Sequence, residues 1–299
     1  MFKVLCIDGG GIRGVFAARF LQLCEEKGVS LAKSFDLVVG TSTGGIIALA
    51  VAYEKSMAQL VELYSSGAVK IFPKPRWTRK CLWNSKYPNE PLVDALKDLF
   101  GSQTTFAVPT CQVRIPSYNL ETGFSKIFRG GPPDSQDRHF FVWQVAAATS
   151  AAPIFFPAFF VENQGLFVDG GIWANNPSIV ALTEAMNLSK PAKDIHILSI
   201  GLGEKIFHSI KPRTGIPSWG LDLVELVFRS QSDGVFQQCN KLQQDIFGVF
   251  HRVAPPPLEP SESSLDDIDA APRLLHFATE VFEREWSQLE REFFTARLP

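Results

Sequence analysis

The apolar run Val4-Leu5-Cys6-Ile7 passes without a break into Asp8-Gly9-Gly10-Gly11-Ile12-Arg13-Gly14. A helical pattern follows, in which Phe16, Phe20 and Leu23 recur before Gly28. A second buried strand is expected over 35–39, and the small apolar residues of 44–54 suit a helix packed on a sheet. The opening of the chain therefore reads as a β-α-β-α unit, which implies a parallel sheet covered by helices.

Two further motifs follow that loop: Gly40-Thr41-Ser42-Thr43-Gly44, then Asp169-Gly170-Gly171. Alone, each is weak. Gly-x-Gly-x-x-Gly is common in nucleotide-binding turns, Gly-x-Ser-x-Gly arises by chance in long chains, and Asp-Gly-Gly usually marks a turn. Order and setting give them weight. Ser42 follows the expected strand and precedes the apolar helix, so the turn would lift Oγ above the sheet edge at the positive end of the helix dipole. Gly40 and Gly44 allow the close backbone approach such a turn requires. A serine hydroxyl is a poor nucleophile without a neighbouring base, and Asp169, on a short strand end beside Gly170 and Gly171, is the candidate. The N–H groups of Gly10 and Gly11, with Arg13 beside them, would face a tetrahedral oxyanion. Together the motifs describe a serine hydrolase.

Two alternatives stay open on the residues. Gly9 to Gly14 also fits a dinucleotide-dependent oxidoreductase, but that fold wants an acidic side chain at the end of the second strand, roughly 20 residues beyond the glycines. Here Asp36 stands at the start of that strand, and the Ser42 turn occupies its end. The other alternative is a Ser-His-Asp esterase. His196, His208, His251 and His276 all follow Asp169 in the order of α/β-hydrolases, although neither they nor His139 adjoin a motif.

Further along, periodicity stops between 67 and 89, where prolines, tryptophans and basic residues read as a long loop or lid. Pro91 opens a helix ending at Gly101, and 111–118 and 124–128 alternate like strands about Glu121-Thr122-Gly123. Residues 143–149 read as a helix, and the aromatic run 155–160 precedes a short strand ending at Asp169. Asn176 caps a helix opened by Pro177, and 195–200 is a strongly apolar strand at which the core sheet is expected to end. Beyond it, 219–239 and 271–298 carry amphipathic helical patterns joined by a Pro-rich, acidic connector at 254–269. The expected division is a catalytic core over 1–205 and a helical C-terminal extension over 206–299, packed on the same domain.

A chain of 299 residues that is 45% hydrophobic and 20% charged can bury the core of one large domain. Its net charge of −2 lacks the basic footprint of a nucleic-acid-binding protein. Cys6, Cys24, Cys81, Cys111 and Cys239 are odd in number and free of Cys-x-x-Cys spacing, so neither a disulfide framework nor a zinc site is expected. With no room for a signal peptide before the first strand, a cytoplasmic setting is expected. The most apolar stretch, 145–161, is interrupted by Thr149, Ser150, Pro153 and Pro157 and falls short of a membrane-spanning helix.

The three motifs, with Ala147-Ala148-Thr149-Ser150-Ala151-Ala152-Pro153 upstream of Asp169, resemble the patatin-like phospholipase family from about Phe2 to Gly203. The resemblance implies a three-layer α/β/α fold with a mainly parallel central sheet and added C-terminal helices. It makes Ser42 the nucleophile and Asp169 its partner in a Ser-Asp dyad, with Gly9, Gly10, Gly11 and Arg13 forming the oxyanion region. It requires no catalytic histidine, no calcium or other metal, and no cofactor. The implied reaction is release of fatty acids from membrane glycerophospholipids through an acyl-serine. Some compact bacterial members are antiphage effectors switched on by cyclic nucleotides, so a cyclic nucleotide activator is a further expectation, with assembly into a homo-oligomer left open. Peripheral contact with the inner face of the membrane is expected through 70–87. There Lys70, Lys74, Arg76, Arg79, Lys80 and Lys86 interleave with Phe72, Trp77, Trp83 and Tyr87. The aromatic run 155–160 is a candidate lining for an acyl channel.

Overall fold

The computed structural model describes residues 1–73, 84–131, 136–188, 191–203, 219, 222–258 and 264–294. The chain opens with β1 (Phe2–Ile7), α1 (Gly14–Glu26), α2 (Leu31–Ser34), β2 (Leu37–Gly40), α3 (Thr43–Ala52) and α4 (Met57–Tyr64), followed by α5 (Ala68–Ile71) and α6 (Glu90–Phe100). Next come β3 (Gln112–Asn119), β4 (Phe124–Gly130), α7 (Val142–Thr149), β5 (Phe159–Val161) and β6 (Gly165–Asp169). The remainder supplies α8 (Gly171–Ala174), α9 (Ser178–Leu188), β7 (Ile195–Ile200), α10 (Asp222–Asp245), β8 (Val249–Val253) and α11 (Ala271–Leu289).

The strands form one sheet in the order β5-β6-β3-β2-β1-β7-β8, with β4 paired to β3. β3, β2, β1, β7 and β8 run parallel to one another, while β4 and β6 pair antiparallel with β3 and β5 pairs antiparallel with β6. Because β side chains alternate between faces, each central strand feeds two cores. Leu5, Ile7, Val38, Leu198 and Ile200 pack on the side of α1, α3 and α11. Val4, Cys6, Leu37, Val39, Ile195 and Ile197 pack on the side of α9 and α10. This is the expected three-layer arrangement. Strands buried on both faces are apolar almost throughout, which is why they were legible without alternation.

The sheet does not end at Ile200. Val249–Val253 forms an eighth strand, with Ile197 opposite Phe250 and Ile200 opposite Val253. The stretch beyond 205 is therefore not wholly helical. Its five-residue strand carries His251 and Arg252 between apolar neighbours, which hid its period, and its register is supplied by β7. The two expected C-terminal helices are present as α10 and α11, and Asn176 caps α9 by accepting from the N–H and hydroxyl of Ser178.

One feature of the topology positions the site. β4 pairs along β3 from Val113 to Asn119, so the other edge of β3 is left for both β2 and β6. β2 takes its first half, ending with Val39 opposite Arg114, and β6 takes its second half in the reverse direction, with Asp169 opposite Ser117. The C-terminal ends of β2 and β6 thus meet head to head over Pro116. The Pro116 carbonyl points into that gap and accepts from the Thr149 hydroxyl. A residue's N–H points to the same edge as its carbonyl, so the donor that proline lacks lies where no strand would receive it.

Candidate active site

At the end of β2 the backbone turns through Ser42, which has φ 56° and ψ −126°, and enters α3. Such a conformation in a non-glycine residue stores strain and thrusts the side chain outward. Two glycines make room for it. A Cβ on Gly40 would run into the Gly44 carbonyl, and one on Gly44 into the carbonyls of Ile7 and Asp8, so the first turn of α3 lies against the end of β1. All ten residues of α3 are buried, as a helix apolar on every side must be.

The Ser42 hydroxyl donates to Asp169 Oδ2 at 2.6 Å. Asp169 is fully buried, and its Oδ1 accepts from the Gly171 N–H at 2.7 Å. Burial pushes its pKa up to about 7, against the opposing pull of the hydrogen bonds from Ser42 and Gly171. A carboxylate that would otherwise be too weak a base is thereby brought near neutrality. Thr149 fixes the geometry from a third element. Its Oγ1 accepts from the Ser42 N–H at 3.0 Å while donating to the Pro116 carbonyl at 2.6 Å, and two residues on, the Ala151 carbonyl accepts from the Asp169 N–H at 3.0 Å. The segment 147–153, flagged in the sequence only by resemblance, therefore bolts both halves of the pair.

The glycine loop lies beside Ser42. No described hydrogen bond uses the N–H of Gly10 or Gly11, whereas the Gly9 N–H is given to the Asn175 carbonyl at 2.9 Å. Arg13 is buried, and its guanidinium donates to the carbonyls of Gly10 and Gly203. The Gly9 N–H and the Arg13 guanidinium thus brace the loop, while the N–H groups of Gly10 and Gly11 enter no described hydrogen bond. Gly11 has φ +57°, and a Cβ there would strike the carbonyl of Leu265, which accepts from the Ile12 N–H. The segment around Leu265 is clamped in place: its N–H donates to Glu225, and Asp266 is held by Lys86 and by the Tyr87 hydroxyl.

An apolar cavity of about 50 Å3 opens beside Ser42, lined by Ile46, Leu63, Phe155, Phe156, Phe228 and Leu265 among others. Of the aromatic run expected to line an acyl channel, Phe155 and Phe156 line this cavity. Phe159 instead packs on Trp143, and Phe160 is 61% exposed. Of the basic stretch, residues 74–83 lie outside the described residues. Tyr87 is buried and Phe72 packs against it and Phe156, so these two rings face inward and not toward a membrane.

The direct Ser42–Asp169 bond leaves no position for an imidazole between them. His139 pairs with Gln164, His251 lies between Glu285 and Glu292, and His276 pairs with Glu280, while His208 lies outside the described residues. Asp36 accepts from the Lys3 N–H at the far end of β2, away from the glycine loop, where a ribose ligand would be of no use.

Fold and site together define an α/β protein in which a serine on a strand-to-helix turn is hydrogen-bonded directly to a buried carboxylate. A family model described as patatin-like phospholipase matches residues 5–182, and the chain belongs to that family. It is similar to a cGAMP-activated phospholipase of Vibrio cholerae, 35% identical over 70% of this chain and 66% of the relative. A protein of the same description from Escherichia coli is 36% identical over 70% of this chain and 64% of its own length. The chain thus spans just under two thirds of either bacterial relative. The 85/88 kDa calcium-independent phospholipase A2 of Rattus norvegicus is 32% identical over 60% of this chain and 23% of its own.

Proposed function

We propose that the chain is a lipid acyl hydrolase of the phospholipase A type, acting on membrane glycerophospholipids through Ser42 and Asp169. The observation that carries this reading is the 2.6 Å hydrogen bond from the Ser42 hydroxyl to a buried carboxylate, set at the mouth of an apolar cavity. Ser42 Oγ attacks the ester carbonyl carbon while its proton passes to Asp169, and the N–H groups of Gly10 and Gly11 receive the oxyanion. Collapse of the tetrahedral intermediate returns the proton to the departing lysolipid oxygen and leaves an acyl-serine. Asp169 then takes a proton from water as it attacks the acyl carbon, and the fatty acid is released with Ser42 restored.

Activation by a cyclic nucleotide belongs to the same reading, supported by the descriptions of the two bacterial relatives. Ser42 is 7% exposed. No helix among the described residues is long and apolar enough to cross a membrane. We place the enzyme in the cytoplasm, meeting the inner leaflet peripherally.

The test is fatty acid release from phospholipid vesicles in EDTA, by the wild type and by Ser42→Ala, with and without a panel of cyclic nucleotides. The expected result is release that depends on Ser42, survives chelation and rises with one nucleotide. Release that persists in Ser42→Ala would remove the assignment.

A further inference from the structure

The C-terminal part of the chain touches the glycine loop through Leu265. Its carbonyl accepts from the Ile12 N–H at 2.8 Å and lies so close over Gly11 that a Cβ there would stand 2.1 Å from it. The Leu265 side chain is buried and walls the same apolar cavity as Gly11 and Ser42. One residue thus borders both the loop and the cavity, and it lies beyond residues 5–182, which the family model matches.

The next residue, Asp266, is held from three sides. Its Oδ1 accepts from the Ser264 hydroxyl at 2.7 Å, its Oδ2 accepts from the Tyr87 hydroxyl at 2.5 Å, and the Lys86 ammonium pairs with that same Oδ2. The Asp266 and Lys86 side chains are 6% and 19% exposed, so the pair is largely shielded from salt. Lys86 and Tyr87 are the last two members of the basic and aromatic stretch expected at a membrane. Their N–H groups donate to the carbonyls of Ile154 and Phe155, at 2.8 Å each. The Lys86 ammonium lies 5.6 Å from the centre of the Phe155 ring, and the Tyr87 ring 5.9 Å from that of Phe156. Asp266 therefore ties two parts of the cavity wall, Leu265 and Phe155-Phe156, to the loop that carries Gly10 and Gly11.

We infer that Asp266, held by Tyr87 and Lys86, is a positioning residue for the oxyanion donors. It acts through the Leu265 carbonyl, which fixes the Ile12 N–H and bears on Gly11, so that the N–H groups of Gly10 and Gly11 keep the setting in which the attacked ester oxygen is received. This rests on the lipid hydrolase reading and deepens it. Two observations distinguish the role from packing. The contact with the loop is made by a main-chain carbonyl, whose place depends on the backbone and not on side-chain volume. Beside it, three donors converge on one buried carboxylate, where an apolar side chain would have filled the space without the cost of desolvating a charge. A displacement of ~1 Å in groups that meet the transition state can cost about a hundredfold in rate.

The experiment measures kcat and KM on a soluble p-nitrophenyl ester, with whichever cyclic nucleotide supports turnover, for the wild type, Asp266→Ala, Asp266→Asn and Tyr87→Phe. It adds the Ki of a trifluoromethyl ketone bearing the same acyl chain. Addition of Ser42 Oγ to the ketone carbon passes the serine proton to Asp169 and leaves negative charge on the former carbonyl oxygen, so the adduct needs the oxyanion donors but has no leaving group. The expected fall in kcat is about tenfold or more in Asp266→Ala and about threefold in Tyr87→Phe, with KM within about twofold of the wild type. Ki should rise by the factor by which kcat/KM falls. Asp266→Asn, which still accepts from the Tyr87 hydroxyl, should recover part of the loss. Tyr87→Phe removes a single oxygen atom and carries the test should Asp266→Ala fail to fold. An unchanged kcat in Tyr87→Phe, a loss confined to KM, or a Ki that stays fixed while kcat falls overturns the positioning role and leaves the hydrolase reading intact. Equal rates for the wild type and Ser42→Ala overturn that reading itself.

Discussion

At the scale of single residues, the proposed mechanism gives Ser42 and Asp169 separable tasks, and Asp169 is the more informative to perturb. Its pKa of about 7 stands well above the ordinary 3.8, and the cause is burial. The ionised form accepts the serine proton, so kcat/KM should rise with pH through about 7 and then level off, which a rate profile from pH 5 to 9 on a soluble ester would reveal. Asp169→Asn should lower turnover by about a thousandfold or more while preserving the fold. The stability effect has the opposite direction to that of a salt-bridged carboxylate. With the folded pKa raised, the native protein holds a proton that the unfolded chain releases, so this contribution is complete below about pH 4 and is lost as pH climbs through about 7. The difference in Tm between Asp169→Asn and the wild type should therefore be more favourable to the variant at pH 8 than at pH 5. An equal difference at both values would mean that Asp169 is ionised throughout.

Between elements, the pair is made by three ends converging on one strand edge. β2 and β6 share an edge of β3, and the C-terminal end of α7 reaches them through Thr149. Replacing Thr149 with valine removes the acceptor for the Ser42 N–H and the donor to the Pro116 carbonyl in one step, while keeping shape. The expected cost is about 1–3 kcal/mol of stability for a buried polar group left unpaired, with a fall in kcat of about tenfold or more. Thr149→Ser retains the hydroxyl and should recover most of both. Urea unfolding together with rates on a soluble ester distinguishes this from a packing defect, which would affect Thr149→Ser as well. Nothing local in the sequence singles out Thr149, because its role depends on partners 107 and 33 residues away.

For the whole molecule, the C-terminal third completes the site opened by the N-terminal motifs. Arg252 on β8 ties down Asp8 at the start of the glycine loop, across 244 residues, and the two side chains are 12% and 4% exposed. Removing one partner of so buried a pair leaves the other charge stranded, so Arg252→Met should cost about 3–5 kcal/mol. Asp8→Asn combined with Arg252→Met should cost less than the sum of the two single changes, as a double-mutant cycle in urea would measure. Truncation before β8 should therefore abolish activity and folding together, in place of leaving a working core. The sheet expected to stop at Ile200 continues because β8 pairs in parallel with the outer edge of β7.

What could be read along the chain was stereochemistry of short range. The β-α-β-α opening, the strand-to-helix serine turn, the cap at Asn176 and the candidate pair Ser42 and Asp169 all rest on residues that act within a few positions of themselves. Whether Ser42 and Asp169 meet was a matter of topology, since 127 residues separate them and only the shared edge of β3 brings them to 2.6 Å. The same holds for the Gly9 N–H, which resembles its neighbours in sequence but is taken by the Asn175 carbonyl, and for β8, whose register is set entirely by β7. Local sequence restricts each backbone turn, but burial, partner choice and the raised pKa of Asp169 are properties of surroundings assembled from distant segments. They exist only once the chain has closed.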